Sequence, residues 1–249
     1  MNTEFAFETH RRSADDYPRQ HGQQTVFVDY GDKNEDLVFD HHACSDRACS
    51  TSLVCSEDGA RRLARIQSLG QPSTSLRIVT HASPDLDSVA AALAVCRLVD
   101  GQPHSLSKEL VEYVRRRDQG EVTAENPLQS LSLLFQAVKN ACPTDEEVMR
   151  KGIDLLQMVD DAISCGSFHL GWNDLTSLPE LRANFPDALR ELSASSCIAR
   201  DYIAKAPKVL LSVPEEGDAG EPVHRWVDGI ILDFSGLDSE PLGWKEIAR

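Results

Sequence analysis

Three short apolar segments in the first half of the chain each end at an aspartate or a histidine. Residues 25–28 run into Asp29, residues 37–39 run into Asp40, and residues 76–80 run into His81. Their β-branched and aromatic composition predicts short strands. Helices are predicted at residues 50–69 and 88–99, because a glycine and a proline close each of these segments. Strand–helix alternation of this kind predicts an α/β fold with a mainly parallel sheet flanked by helices.

The second half of the chain divides into a helical part and a short β-containing end. Residues 127–204 show helical patterns, and residues 208–213 and 223–234 are predicted as strands separated by a turn-rich segment. We therefore predict three parts. They are an N-terminal arm at residues 1–24, a metal-binding α/β domain with a helical extension at residues 25–205, and the start of a small or truncated C-terminal domain at residues 206–249.

The charge of the chain limits its partners. Its 249 residues carry 25 lysines and arginines against 40 aspartates and glutamates, a formal net charge of −15. Such acidity opposes binding to long nucleic acid or to an anionic membrane, since both usually require basic patches. It leaves a small phosphorylated substrate possible, because bound divalent cations can reverse the local field.

Two further features of the sequence concern compartment and redox state. Apolar runs fall short of the roughly 20 residues that span a membrane, and the first residues do not resemble a secretory signal. We therefore expect a cytoplasmic protein. The seven cysteines are scattered and odd in number, which indicates free thiols rather than a disulfide framework or a zinc site.

The segment from His81 to Asp87 is the richest in metal-ligand side chains. A histidine and two acids, Asp85 and Asp87, lie within seven residues and precede a very apolar helix. The alternative is a polar loop whose acid caps that helix. Capping needs only one carboxylate, so we favour metal binding for this segment.

Asp40-His41-His42 follows a strand in the same way. With His81, this places three of the eight histidines of the chain at two strand ends. In open α/β sheets, sites lie outside the carboxyl ends of the strands, so neighbouring strands would bring Asp29 to the same edge. Imidazole nitrogens with several carboxylate oxygens suit Mn²⁺, Co²⁺ or Mg²⁺.

Other candidate residues leave two interpretations open. Asp118 ends a predicted helix at residues 106–117 and is either a further ligand or only a helix end. Arginines 115–117 form either a solvated face or a phosphate clamp. Residues 50–52 either cap a helix or face a phosphate at its start. Three tryptophans suit a core or a subunit contact, so a homodimer is possible.

The two motifs resemble the signature motifs of the DHH phosphoesterase superfamily. The pattern from His81 to Ser88, His-x-x-Pro-Asp-x-Asp-Ser, is similar to the family II pyrophosphatase and exopolyphosphatase branch. Residues 28–54 are more similar to the melanocyte-proliferating-gene type exonucleases, and residues 110–120 fit the final acidic motif of both. In the superfamily the loop precedes the DHH motif, whereas here it follows. The resemblance, over residues 25–120, thus implies a DHH-type domain whose sheet is rewired, as in a permutation.

The resemblance also implies a role for each residue. One ion would take His81, Asp85, Asp29 and Asp118; the other would take Asp87, His41, Asp29 and Asp118, so that Asp29 and Asp118 bridge. His42 would face the phosphate as a donor or acid, and Asp40 would orient the histidines.

The implied activity is hydrolysis of a phosphodiester, phosphomonoester or phosphoanhydride by a two-metal mechanism. The expected substrate is a small nucleotide or a short oligonucleotide, and the expected cofactors are two ions of Mn²⁺, or of Mg²⁺ or Co²⁺. Two alternatives remain: an inorganic pyrophosphatase or exopolyphosphatase, and a non-catalytic metal- or nucleotide-binding module.

Overall fold

A computed structural model describes most of the chain. It covers residues 3–9, 13–17, 23–42, 48–68, 75–102, 105–121, 126–205, 208–216 and 222–230, with the backbone alone from residue 198 onward. Within these ranges the chain is α/β, as predicted.

A five-stranded, mostly parallel sheet organises the fold. Its strands are β1 (Thr3–Glu8), β2 (Gln23–Val28), β3 (Asn34–Glu35), β4 (Val38–Phe39) and β5 (Ser75–His81). Their order is β1-β5-β2-β4-β3. All neighbours are parallel except the short β3–β4 pair. The central strands β5, β2 and β4 therefore end at the same edge of the sheet.

Eight α-helices lie within the described residues. They are α1 (Ser50–Val54), α2 (Glu57–Ser68), α3 (Leu86–Val99), α4 (Lys108–Asp118), α5 (Leu131–Asn140), α6 (Asp145–Ser164), α7 (Pro179–Asn184) and α8 (Pro186–Lys205). Helix α3 is central: it is buried along almost its whole length and contacts α1, α2, α4, α6, β2 and β5. A helix that is apolar on all sides requires such a buried position.

The alternation of side chains along the strands produces two cores. Val26, Val28 and Ile78 belong to the large core between the sheet and the helices. Phe27 and Val79 face the other way and join a smaller cluster with Ala14 and Tyr17 from the segment at residues 13–17. Because successive strand residues point to opposite faces, both faces of β2 and β5 are buried.

The N-terminal segment differs from its predicted description as an irregular arm. Residues Thr3–Glu8 form β1, which pairs along its length with β5, and Phe5 lies opposite Ile78. The alternating pattern of Thr3, Phe5 and Phe7 was the available signal for this strand.

The helix predicted at residues 50–69 is also different, because it is broken into α1 and α2. The Ser56 Oγ accepts a hydrogen bond from the Gly59 N–H at 3.0 Å and donates one to the Leu53 carbonyl at 2.7 Å. Serine at this position starts a new helix.

At the C-terminal end, strands β6 (Lys208–Glu216) and β7 (Pro222–Ile230) form a separate antiparallel pair. These strands confirm the β-containing segment predicted there, and residues 231–234 of the second predicted strand lie outside the described residues. Within the described part of the chain, helices that combine the length and the apolarity needed to cross a membrane are absent.

Candidate metal centre

Asp29 follows β2 directly and occupies the middle of the candidate site. Its φ is 54°, a left-handed conformation that aspartate tolerates better than most residues. Its N–H still donates to the Phe39 carbonyl at 3.0 Å, so the residue stays attached to β4. The side chain is buried, and its Oδ2 lies 3.1 Å from the His81 Nε2. A strained, buried carboxylate at a strand end is a typical feature of a functional site.

Asp40 is buried and fully engaged in hydrogen bonds. Its carboxylate accepts the N–H groups of Asp32 at 2.8 Å and of His42 at 3.0 Å, and it lies 2.7 Å from the His42 Nδ1. Burial opposes the charge, but these hydrogen bonds outweigh it and lower the pKa of Asp40. Asp40 thereby fixes the orientation of the His42 ring, which stacks on His41 at 4.3 Å between ring centroids.

His41 lies between three carboxylates. Its Nδ1 is 3.6 Å from oxygens of both Asp29 and Asp87, and its Nε2 is 3.5 Å from the Asp118 Oδ2. The Ser50 Oγ lies 3.2 Å from the same Nδ1 and 3.3 Å from the Asp29 Oδ1. Ser50 therefore links two predicted ligands, a role that sequence reasoning did not assign to it.

His81 has an acceptor beside each ring nitrogen. Its Nδ1 lies 2.8 Å from the Ala82 carbonyl oxygen, and its Nε2 faces Asp29, with Asp85 at 3.8 Å. The carboxylates of Asp29 and Asp85 raise the pKa of His81 to about 10. The Ala82 carbonyl fixes the proton on Nδ1, so deprotonation frees the Nε2 lone pair on the side of Asp29. Metal-ligating histidines are oriented in this way.

Asp85 caps α3 and keeps part of its carboxylate accessible. As the N-cap of α3 it accepts the Ser88 N–H at 2.9 Å, which is the capping role considered from the sequence. Burial opposes its charge, but His81 and the Ser88 N–H lower its pKa. About half of its side chain remains exposed, so the cap leaves part of the carboxylate accessible.

Asp87 is buried in the first turn of α3. Its two oxygens accept the N–H groups of Ser50 at 2.7 Å and of Thr51 at 2.9 Å. Because these two N–H groups already donate to Asp87, they do not bind a phosphate, as the alternative interpretation of residues 50–52 would require. Burial, and then the charge of Asp29, raise the pKa of Asp87.

Asp118 is the last residue of α4, as predicted, and its side chain is about one-fifth exposed. Partial burial raises its pKa, while the neighbouring His41 opposes that rise. Of the adjacent arginines, Arg115 pairs with Glu112 and Arg116 with Glu121, which agrees with a solvated face. Arg117 instead lines a cavity beside Asp118.

The predicted ligands come together in three overlapping groups that could hold a metal ion. The groups are Asp29, His81 and Asp85; His41, Asp87 and Asp118; and Asp29, His41 and His42, each with ligand atoms within 4.8 Å of one another. The first two groups match the two predicted ion sites, each without one bridging carboxylate. Asp29 belongs to the first and third groups and His41 to the second and third, whereas Asp118 belongs to one group among the described residues. His42, predicted as a catalytic residue, joins a metal-type group as well.

An open cavity of about 420 Å³ lies over the first group. Its walls include Asp29, His42, His81, Asp85 and Asp118, and Glu8 and Thr9 contribute from the end of β1. The six described cysteines are free thiols, and they lie outside the three groups. Burial raises the pKa of the Cys49 thiol far above its usual range, so the accessible donors are oxygen and imidazole nitrogen.

Comparisons with models of known protein families, with curated proteins and with solved structures find no significant match for this chain. The resemblance to the DHH superfamily consequently depends on the sequence motifs alone.

Proposed function

We propose that this chain is a divalent-metal-dependent phosphoesterase that acts on a small nucleotide or a short oligonucleotide with two metal ions. One observation carries the proposal: six residues predicted as ligands converge from three adjacent strand ends and the end of α4, with Asp29 shared between groups. Strand ends of this kind are the usual place for a site in an α/β sheet.

The donor set fits hard or borderline divalent cations. Histidine nitrogen with carboxylate oxygen suits Mn²⁺, and also Mg²⁺ or Co²⁺, better than a soft metal. The site also brings negative charges together, because Asp29 and Asp87 are both buried and the charge of Asp29 raises the pKa of Asp87. Like charges in a buried site disfavour ionisation, and a pair of dications would offset this repulsion. We infer that the centre is built for bound cations.

Two divalent ions in this centre would supply Lewis acidity to a phosphoryl group and would lower the pKa of a bound water. His42 then acts beside them as a proton donor or acceptor. Asp40 engages its Nδ1, which leaves Nε2 for proton transfer. The half-exposed side chain of His42 lines the open cavity, as a group that meets substrate must.

We also propose that the domain is a rewired member of the DHH superfamily. In the sheet order, β5 lies between β1 and β2 although it comes later in the chain. The loop after β5 thereby stands beside Asp29, in spite of the reversed order of the motifs. Only the positions of the strand ends in space need to be preserved for the same ligands to meet.

The direct test is hydrolysis by the purified chain with Mn²⁺. A dinucleotide, 3′-phosphoadenosine 5′-phosphate, pyrophosphate and a generic phosphodiester would be assayed with and without a chelator. We expect metal-dependent hydrolysis of a nucleotide substrate that is lost in Asp87→Ala and kept in Asp187→Ala, a change at an exposed aspartate of α8. Bound metal without turnover of any substrate would instead favour the binding-module alternative, and preference for pyrophosphate would favour the pyrophosphatase alternative.

A further inference from the structure

A second cavity lies on the other side of the candidate centre. It has a volume of about 270 Å³ and is enclosed by the start of α3, the end of α4 and one face of α5. Asp85 and Asp118 line both cavities. Asp87 lines only the second, whereas Asp29 and His81 line only the first. The first cavity therefore borders the group of Asp29, His81 and Asp85, and the second borders Asp87 and Asp118 of the other group.

The walls of the second cavity combine an apolar part with the charged residues of the candidate centre. Leu86, Val114, Leu133 and Phe135 contribute to them, with Ser132 and Gln136 as polar neighbours. Sites for small organic molecules usually combine an apolar wall with a few polar groups in this way. At about 270 Å³ the cavity is just under the roughly 300–1,000 Å³ of drug-sized sites, so its capacity is that of one planar ring with its sugar.

The positive charges of this cavity are already engaged. The Lys139 Nζ donates to the carbonyls of Ser83 and Pro84, at 2.9 Å each. The Arg117 guanidinium donates to the Glu121 carbonyl at 2.9 Å. Lysine and arginine are absent from the described walls of the first cavity, which include Glu8. Among the described residues, a chain of several phosphates would therefore meet no lysine or arginine in the first cavity, and in the second it would meet only Arg117 and Lys139, which already donate to backbone carbonyls.

We propose that the second cavity is a subsite for the organic group of a phosphoester, of nucleoside size, whose phosphate lies at the shared carboxylates Asp85 and Asp118. This inference rests on the proposed function and makes it narrower. A phosphodiester carries two substituents on phosphorus, and two cavities that meet at the centre accommodate one each. The substrate class is accordingly an organic phosphate ester rather than pyrophosphate or polyphosphate.

The test measures binding as well as turnover. Titration calorimetry of the Mn²⁺-loaded protein would compare thymidine 5′-monophosphate with inorganic phosphate. We expect the nucleotide to bind at least about tenfold more tightly, which corresponds to roughly 1.4 kcal/mol from apolar contact. Gln136→Trp, which fills the cavity from the partly exposed side of α5, should abolish this preference and leave phosphate binding unchanged.

Two further variants keep the test interpretable. Ser132→Phe narrows the same cavity from the preceding turn of α5 and replaces Gln136→Trp if that variant does not fold. Gln157→Trp makes the same exchange at an exposed position of α6 outside the cavity walls and should retain the nucleotide preference.

The outcomes separate the two proposals. Equal binding of phosphate and nucleotide, or an unchanged preference in the filled variants, would overturn the subsite. A nucleotide preference without hydrolysis of thymidine 5′-p-nitrophenyl phosphate, a dinucleotide, 3′-phosphoadenosine 5′-phosphate or pyrophosphate would overturn the phosphoesterase and keep the subsite. Hydrolysis without any preference for the nucleotide would keep the phosphoesterase and overturn the subsite. Binding of neither nucleotide nor phosphate would contradict both proposals.

Discussion

At the scale of single residues, the candidate centre depends on side chains that each serve the fold and the site together. Asp85 caps α3, and Asp87 holds the N–H groups at the start of α1. The sequence pointed to both as ligands because acids cluster after a strand. It did not indicate Ser50, because a contact between residues 21 positions apart depends on the tertiary structure.

His81 supplies a prediction about protons. Its pKa of about 10 in the metal-free protein means that the ring is protonated at neutral pH, whereas a metal ligand must be neutral. Binding of Mn²⁺ should thus release about one proton from His81, and affinity should rise with pH up to that pKa. Calorimetry at pH 7 in buffers of different ionisation enthalpy measures the release; a release that is the same in His81→Asn would contradict it.

The same shift has a consequence for the metal-free fold. Because the pKa of His81 is raised above its unfolded value of about 6.5, protonated His81 stabilises the folded protein, and this stabilisation is complete below pH 6.5. The contribution is lost as the pH rises through about 10.

Asp40 gives the opposite pH dependence. Because its folded pKa is lowered, its contribution is present above the unfolded pKa of about 3.9 and is lost as the pH falls through the folded value. Asp40→Asn should destabilise the metal-free protein at pH 7 by about 1.5–3 kcal/mol, the usual size for a hydrogen bond to a charged group. Denaturant titrations with chelator at pH 7 and at lower pH measure this difference, with Asp187→Asn as the control. A deficit that stays constant as the pH falls would rule out the ionised carboxylate as its source.

At the scale of elements, the strands and helices around the site were largely predictable, but the contacts that position them were not. Local composition indicated β2, β4, β5 and α3, since each has a strong pattern of its own. The edge strand β1 was missed because its pairing with β5 is contributed by residues more than 60 positions away. Likewise, the loop before α3 is held by residues far along the chain.

Lys139 and Asp145 hold that loop at Ser83. The Lys139 ammonium binds the Ser83 and Pro84 carbonyls, and the Asp145 carboxylate accepts the Ser83 N–H at 3.0 Å. Ser83 has a φ of 59°, which serine rarely adopts unaided. Lys139→Met should loosen the loop and weaken Mn²⁺ binding by about tenfold, near the lower end for residues that orient ligands. Lys139→Arg should retain part of the Mn²⁺ affinity, and Lys151→Met, on the exposed surface of α6, should retain all of it. Equal Mn²⁺ affinities in all three variants would show that Lys139 does not hold the loop.

Gly59 allows α2 to begin against the end of α1. A Cβ at this position would lie 2.3 Å from the Leu53 carbonyl oxygen and 2.5 Å from that of Val54. Both obstacles are backbone atoms, so the two helices would have to separate. Gly59→Ala should destabilise the protein by about 1–3 kcal/mol as overpacking does, although alanine favours a helix by about 1 kcal/mol. Ala64→Gly, at an exposed position of α2, calibrates that helix preference in the same unfolding assay; a stabilised Gly59→Ala protein would contradict the close approach.

At the scale of the whole molecule, the fold brings separated segments of the chain to one candidate site. The segments after β2, β4 and β5 are separated in sequence by up to about 50 residues, yet their strands are neighbours. The sequence predicted a common edge from the rule for parallel strands. It could not predict the strand order, or that Asp118 would join only one group. Part of the acidity of the chain is concentrated at this site, and bound cations would offset it.

The number of Mn²⁺ ions bound per chain decides whether the candidate centre is a two-metal site. Equilibrium dialysis with metal analysis would compare the unaltered chain, Asp29→Asn and Asp187→Asn, with circular dichroism to establish that each is folded. We predict two ions in the unaltered chain and in Asp187→Asn. In Asp29→Asn, where the shared carboxylate is lost, we predict at most one weakly held ion. A folded, unaltered chain that binds no Mn²⁺, or an Asp29→Asn protein that binds two ions as tightly, would contradict the account.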